Sequence, residues 1–241
     1  MLEKIIKPLL ELIFPSNIYC IYCERPIDST MPYSLCGHCV RILQWVDSYS
    51  CSKCGKPLYN YDRDICRDCS IYDRKFNRGF TTVRYGRVER DIVHQFKYGD
   101  KSYYGEKLAQ LMYERILSED IDADLILAVP MYKQKERRRG YNQAALLARA
   151  LARNLDKPYS LDLLMRNVDT RPMSSLGAEE RKKNLEGAFS VDKDRAHIIK
   201  NITILLVDDI FTTGSTVNAC SEVLLESGAS SVYVLTFAAG A

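Results

Sequence analysis

Nowhere outside its first 16 residues does the 241-residue chain approach the roughly 18 uninterrupted apolar residues that a membrane span requires. Charge of one sign is also scarce: 34 Lys and Arg stand against 31 Asp and Glu, a formal net of +3, too weak a field to mark a nucleic-acid or membrane binder. Neither a G-K-[ST] ending nor a G-x-G-x-x-G run is present, which excludes the P-loop and the dinucleotide fingerprint. With 46% hydrophobic and 27% charged residues the chain is neither disordered nor fibrous, and it can bury one good core with a small satellite. The opening MLEKIIKPLLELIFPS is apolar, but Lys7 and Glu11 interrupt it and no small-residue cleavage site follows. It reads as a short amphipathic helix, with Ile5, Ile6, Leu9, Leu10 and Ile13 on one stripe and Pro15 ending it. A soluble cytoplasmic protein is expected.

What the sequence has in abundance is cysteine, nine in all, eight of them before residue 70. They form four C-x2-C pairs: Cys20 and Cys23, Cys36 and Cys39, Cys51 and Cys54, Cys66 and Cys69. Two thiolates two residues apart grip a metal ion from one tight turn, so two such knuckles close a tetrahedral site and leave no place for water. Four knuckles predict two structural Zn2+ ions. Disulfides suit a reducing cytosol poorly, and redox chemistry needs a thioredoxin-like context that none of the pairs has. Short intervals favour consecutive pairs sharing a metal, with alternate pairs in a cross-brace as the other arrangement. His38, inside the second knuckle, reads as a solvated turn residue. Each four-thiolate zinc site carries a formal −2, so two of them turn the net +3 into −1 and remove any global basic argument.

Beyond about residue 80 the pattern changes, which divides the chain into 1–78, a helix plus a double zinc-binding domain, and 79–241. Helices are expected over 88–98, 103–117, 141–153 and 215–226, and strands over 124–129, 161–166, 201–207 and 231–238. Residues 168–187 read as a loop, and the segment between the strand at 124–129 and the helix at 141–153 as a basic loop. Strands alternating with helices predict an α/β fold with a parallel sheet, whose ligands bind at the C-terminal strand ends.

The strand ITILLV runs into Asp208, Asp209, Ile210, Phe211, Thr212, Thr213, Gly214, Ser215 and Thr216, where a helix begins. Small hydroxyl residues and a glycine at a helix N-terminus present free N–H groups and hydroxyl donors to a phosphate. Two carboxylates just upstream would repel a phosphate and therefore suit ribose hydroxyls, or a metal bridged to them. A plain helix cap explains one acid, but not two followed by TTGST. Lys133 to Arg139 holds five basic residues against Glu136 alone. It is either a solvated loop or, beside such a site, a cluster for pyrophosphate or a DNA backbone. Tyr132 and Tyr141 flank it as base-stacking candidates, although Tyr141 is equally suited to packing on the sheet. Lys97 is a weaker anion candidate, and Cys220 reads as a small buried residue.

LLVDDIFTTGST resembles the loop of type I phosphoribosyltransferases that binds 5-phosphoribosyl-1-pyrophosphate (PRPP). Together with the paired cysteines, FKYGD (96–100), AVPMYKQKERRRGYNQA (128–144) and ERKKNLEGAF (180–189), it makes the whole chain similar to the ComF family of competence proteins. The resemblance implies a type I phosphoribosyltransferase-like parallel sheet flanked by helices, a zinc-ribbon or knuckle extension, and handling of incoming single-stranded DNA. On that likeness Asp208 and Asp209 hold ribose hydroxyls and Thr212 to Thr216 the 5′-phosphate. Lys133 and Lys97 then serve the pyrophosphate, and Lys135, Arg137, Arg138, Arg139 and Tyr141 are the DNA-binding candidates. Where the family's T-x-x-Q-x-x-L element carries Gln, this chain has Met173, which puts any contact of that Gln in doubt. Two readings of different class follow. One is a Mg2+-dependent transferase acting on PRPP, for which no acceptor pocket is identifiable. The other is a binding module for PRPP and single-stranded DNA that docks a competence helicase or uptake-pore protein.

Overall fold

The computed structural model describes residues 17–46, 49–60, 62–169, 185 and 187–240. The amphipathic helix expected in the first 16 residues and the element around Met173 lie outside them. By compactness the chain divides into Met1–Leu43 and Gln44–Ala241, so the second cysteine group belongs to the same unit as the sheet. The compact units therefore do not coincide with the change of sequence pattern at residue 78.

The two cysteine-rich segments repeat one design. In the first, an antiparallel bridge from Tyr19 to Pro26 frames a turn in which Cys20 N–H donates to Arg25 O, and α1 (Gly37–Ile42) starts directly after Cys36. In the second, Ser50 bridges Pro57, Cys51 N–H donates to Lys56 O, and α2 (Arg67–Ile71) starts directly after Cys66. Each knuckle turn passes through a left-handed residue one place after its second cysteine: Glu24 (φ 58°) and Gly55 (φ 73°).

The larger unit is built on β1 (Arg78–Arg84), α3 (Arg87–Tyr98), α4 (Tyr104–Leu117), β2 (Leu125–Ala128), α5 (Lys133–Arg139), α6 (Gln143–Leu155) and β3 (Tyr159–Ser160). It continues through β4 (Leu164–Arg166), β5 (Phe189–Val191), β6 (Thr203–Phe211), α7 (Ser215–Glu226) and β7 (Ser231–Ala239). Five strands form one parallel sheet in the order β1-β7-β6-β2-β3. The run Ile204, Leu205, Leu206, Val207 is buried throughout, as expected of a central parallel strand covered on both faces. Chain progression goes one way from β2 to β3 and the other way from β6 to β7. Right-handed crossovers therefore put α6 and α7 on opposite faces, with α4 packed beside α6. Gln44 to Val46 covers the free edge of β1, with Trp45 antiparallel to Val83, Val46 N–H donating to Thr82 O and Arg84 N–H to Gln44 O. The buried Glu89 carboxylate locks this cover, accepting from Gln44 N–H at 2.7 Å and from Gly86 N–H at 3.1 Å.

Three local expectations differ. The basic segment is helical over Lys133–Arg139, because Lys, Gln, Glu and Arg are good helix formers and Gly140 (φ 90°) ends the helix in the left-handed region. Of the strand expected at 161–166 only Leu164–Arg166 forms, and it pairs antiparallel with β5 in a separate two-stranded sheet. β6 continues to Phe211, with Asp208 in register with Thr236 and Phe211 with Ala239, so both aspartates lie inside the strand.

Candidate functional site

The strand order reverses between β2 and β6, and a crevice at the C-terminal ends of these strands is where an open α/β sheet takes its ligand. Val129 N–H donates to Val207 O, which extends the pairing to the mouth of that crevice. Asn142, 8% exposed, fixes the β2 side: its amide donates to Val129 O at 3.0 Å while its oxygen caps α6 at Ala144 N–H.

On the β6 side the acids come first. Asp208 Oδ1 accepts from Asp209 N–H at 2.8 Å, and Asp209 Oδ1 from Ile210 N–H at 3.0 Å. Lys97, at the end of α3, reaches Asp209 with its Nζ 2.5 Å from Oδ2. Burial works to lower the Lys97 ammonium's pKa, but the Asp209 carboxylate, with Asp208 behind it, more than offsets this and holds it above the ordinary lysine value. Desolvation, reinforced by the charge of Asp209, pushes the Asp208 carboxyl well above the usual carboxylate range.

After the acids the chain turns sharply. Gly214 sits at φ 75°, and a Cβ there would meet the Phe211 ring at 2.3 Å, so only glycine fits the entry to α7. Thr213 Oγ1 and Ser215 Oγ lie 3.0 Å apart across that turn, and α7 is 12 residues long. The loop from Thr212 to Thr216 thus offers hydroxyls and free N–H groups at a full-length helix N-terminus, beside two carboxylates. Such a loop can hold a phosphate while the acids take hydroxyls or a metal.

The cations divide into two sets. Lys97 meets the acids, while Lys135 is exposed on α5, where desolvation and the charges of Arg139, Arg166 and Lys97 hold its pKa below the ordinary lysine value. Arg139 is tethered, donating to Gln143 Oε1 at 2.7 Å and to Tyr98 Oη at 3.2 Å with its guanidinium 5.1 Å from the Tyr98 ring centroid. Lys133, Arg137 and Arg138 point to solvent on α5. Tyr141 is held by the core, its hydroxyl donating to Phe96 O at 2.6 Å and its ring tilted on Phe96. Sequence reasoning missed Arg166, on β4, which lies near Asp208, Asp169 and Cys220; burial works to lower its pKa against all three. Nothing in the primary order signals it, because a separate two-stranded sheet carries it to the site. It also missed Tyr98, 65% exposed between His94 and Arg139, although FKYGD held it next to Lys97. Cys220 is buried in α7 as expected, and burial next to Asp208 pushes its thiol up.

The eight N-terminal cysteines gather in two groups, Cys20, Cys23, Cys36, Cys39 and Cys51, Cys54, Cys66, Cys69, with the four sulfurs of each within 4.8 Å of one another. Consecutive pairs share a site. Cys23 Sγ lies 3.8 Å from Cys36 Sγ and Cys54 Sγ 3.7 Å from Cys66 Sγ. A tetrahedron of roughly 2.3 Å zinc–sulfur bonds has edges of about 3.8 Å, whereas a disulfide is about 2.05 Å long. The surroundings of the second group also fit a zinc tetrathiolate. Arg74 is 7% exposed beside Cys69, and its Nε and Nη2 have no hydrogen-bond partner among the described residues. A buried guanidinium in that position balances a doubly negative centre.

A model of the double zinc ribbon domain matches residues 9–70, and one of the phosphoribosyl transferase domain matches residues 141–241. Competence protein F of Haemophilus influenzae is 29% identical over 223 residues, covering 90% of this chain and 95% of that protein. DNA utilization protein YhgH of Escherichia coli is 28% identical over 220 residues, covering 89% and 94%. Competence protein ComFC of Bacillus subtilis is 26% identical over 240 residues, covering 88% and 90%. Among solved structures, the glutamine PRPP amidotransferase of B. subtilis overlaps 59% of this chain and 30% of its own at 15% identity, with a TM-score of 0.41. Among the described residues no helix is long and apolar enough to cross a membrane. With two four-cysteine ribbon sites ahead of a phosphoribosyltransferase-type parallel sheet, and relatives aligned over nearly their full length, the chain is similar throughout to competence proteins of the ComF type.

Proposed function

We propose that the crevice between β2 and β6 binds PRPP with Mg2+, and that the adjoining helix α5 grips single-stranded DNA, in a cytoplasmic protein of DNA uptake. The observation that carries this reading is the acid pair Asp208 and Asp209, set in the strand directly before a phosphate-type loop and faced by Lys97. In this reading the two aspartates take the ribose hydroxyls and Thr212, Thr213, Gly214, Ser215 and Thr216 take the 5′-phosphate. Lys97 and Lys133 serve the pyrophosphate, whose charge Mg2+ neutralises when bound. Lys135, Arg137, Arg138 and Arg139 on α5 meet the DNA backbone, and the exposed ring of Tyr98 is better placed than the tethered Tyr141 to stack a base. We assign the metal-bound part to residues 1–78, as the surface for a helicase or uptake-pore partner, and the ligand-binding part to 79–241.

Calorimetry of the full chain with PRPP and Mg2+ should show binding that falls about 100-fold or more, roughly 2.7 kcal/mol, in the double variant Asp208→Asn, Asp209→Asn. No heat with the unaltered chain overturns the reading. Pyrophosphate release in the same mixtures, with bases or DNA as acceptor, separates a transferase from a binding module. For DNA, replacing Arg137 and Arg138 by Ala should reduce the log–log salt slope of single-strand binding by about 1.4, since each phosphate contact contributes about 0.7. An unchanged slope moves the DNA surface elsewhere.

A further inference from the structure

The second zinc ribbon packs on the start of β1, and the chain that leaves it touches the residues around the phosphate loop. Its knuckle rests on β1 through two glycines: a Cβ on Gly55 would meet Gly79 O at 2.5 Å, one on Gly79 would meet Cys54 O at 2.8 Å, and Gly79 N–H donates to Lys53 O at 2.8 Å. The chain that leaves the last cysteine pair runs straight to the loop's supports. Lys75 N–H donates to Asn218 Oδ1 at 2.8 Å, and Asn218 is in the first turn of α7, its own N–H donating to Gly214 O. Phe76, fully buried, stands edge-on to Phe211 with ring centroids 6.4 Å apart and planes at 88°. Phe211 in turn fills the space under Gly214. Arg74, in the same stretch, is anchored beside Cys69.

We propose that Phe76 and Asn218 are positioning residues for the phosphate loop, held in register by the zinc of the Cys51, Cys54, Cys66 and Cys69 site. The physical basis is close packing. The Phe211 ring is wedged between Phe76 and the backbone of Gly214, so it has no second place to go while the metal fixes residues 66–76. Metal loss frees Arg74, the edge-on ring and the Lys75 to Asn218 bond together, and the left-handed turn at Gly214 loses its floor. This rests on Thr212 to Thr216 being the phosphate loop; the packing itself does not.

Hydrogen exchange of the full zinc-loaded chain, without ligand, tests it. In Cys66→Ser, Cys69→Ser, which empties one zinc, amides of residues 211–219 should exchange about tenfold faster or more while those of 144–152 in α6 keep their protection. If the whole sheet opens in that variant, Phe76→Leu decides: with two zincs still bound by metal analysis, the same loop amides should speed up and those of α6 should not. Loop exchange unchanged in Phe76→Leu overturns the proposal. Calorimetry with PRPP keeps the two readings apart. Loop loosening in a chain that binds no PRPP sinks the proposed function and leaves the brace, whereas PRPP binding with unaltered loop exchange does the reverse.

Discussion

Replacing Lys97 by Met removes the cation that Asp209 faces, and the magnitude follows from the geometry. Two unit charges about 4 Å apart interact by about 4 kcal/mol at an effective dielectric of about 20. Removing one member of a buried pair typically costs about 3–5 kcal/mol because the other is left uncompensated. Here the two side chains retain 20% and 15% exposure, so water relieves part of the penalty. We therefore expect about 3 kcal/mol for Lys97→Met. Asp209→Asn strands the ammonium instead and should cost a similar amount. The double variant removes both charges, so it should lose less than the sum of the singles by about 2 kcal/mol, within the range measured for contacting residues. Urea denaturation of the zinc-loaded chain gives these numbers, read through Trp45, the sole tryptophan, which sits on the edge of β1. Additivity to within about 0.5 kcal/mol would refute the pairing as an energetic unit.

Gly214→Ala should destabilise the chain by about 2–5 kcal/mol, combining about 1–2 for a left-handed residue with a Cβ and about 1–3 for displacing a wedged Phe211 ring. A urea midpoint within error of the parent would rule out that geometry. Asp208 supplies the pH dependence. Its native pKa is raised above the unfolded value of about 3.9, so the native state holds the extra proton. The resulting penalty is absent below about pH 4 and grows as pH rises through the native value. Asp208→Asn should therefore be more stable than the parent at pH 8 by about 1.4 kcal/mol per unit of that difference, with the advantage shrinking toward pH 4. Urea midpoints at pH 4, 6 and 8 check this, and a variant less stable than the parent at pH 8 contradicts it.

The features legible in the sequence were those whose signal is local. The buried run Ile204 to Val207 has the unbroken apolar pattern of a central strand, and four C-x2-C pairs give both zinc sites and, through loop length, their sequential grouping. Residues 133–139 misled because their charge drew attention away from their helix propensity. β1, with Thr81 and Thr82 buried, lacks the apolar run of an inner strand. Its hydroxyls are satisfied across the sheet, Thr81 Oγ1 lying 3.2 Å from Thr236 Oγ1, a pairing that only the fold creates. Arg166 comes near Asp208 through tertiary structure alone, and the ion pair between Lys97 and Asp209 is likewise made only by the fold.

One difference between the two ribbons shows what a single sequence can reveal once a repeat is recognised. Both knuckles place a left-handed residue one position after their second cysteine, and the first does so with Glu24 at φ 58°. A positive φ therefore does not by itself demand glycine at that position, although it strains any other residue. At Gly55 the demand comes from the neighbour, since Gly79 O stands 2.5 Å from where a Cβ would be. Repeats that share a metal geometry diverge where one of them is pressed against something else. The glycine marks the ribbon that is fused to the sheet, which agrees with the compact unit beginning at Gln44. The second four-cysteine site is thus built into the same compact unit as the parallel sheet and the turn at Gly214.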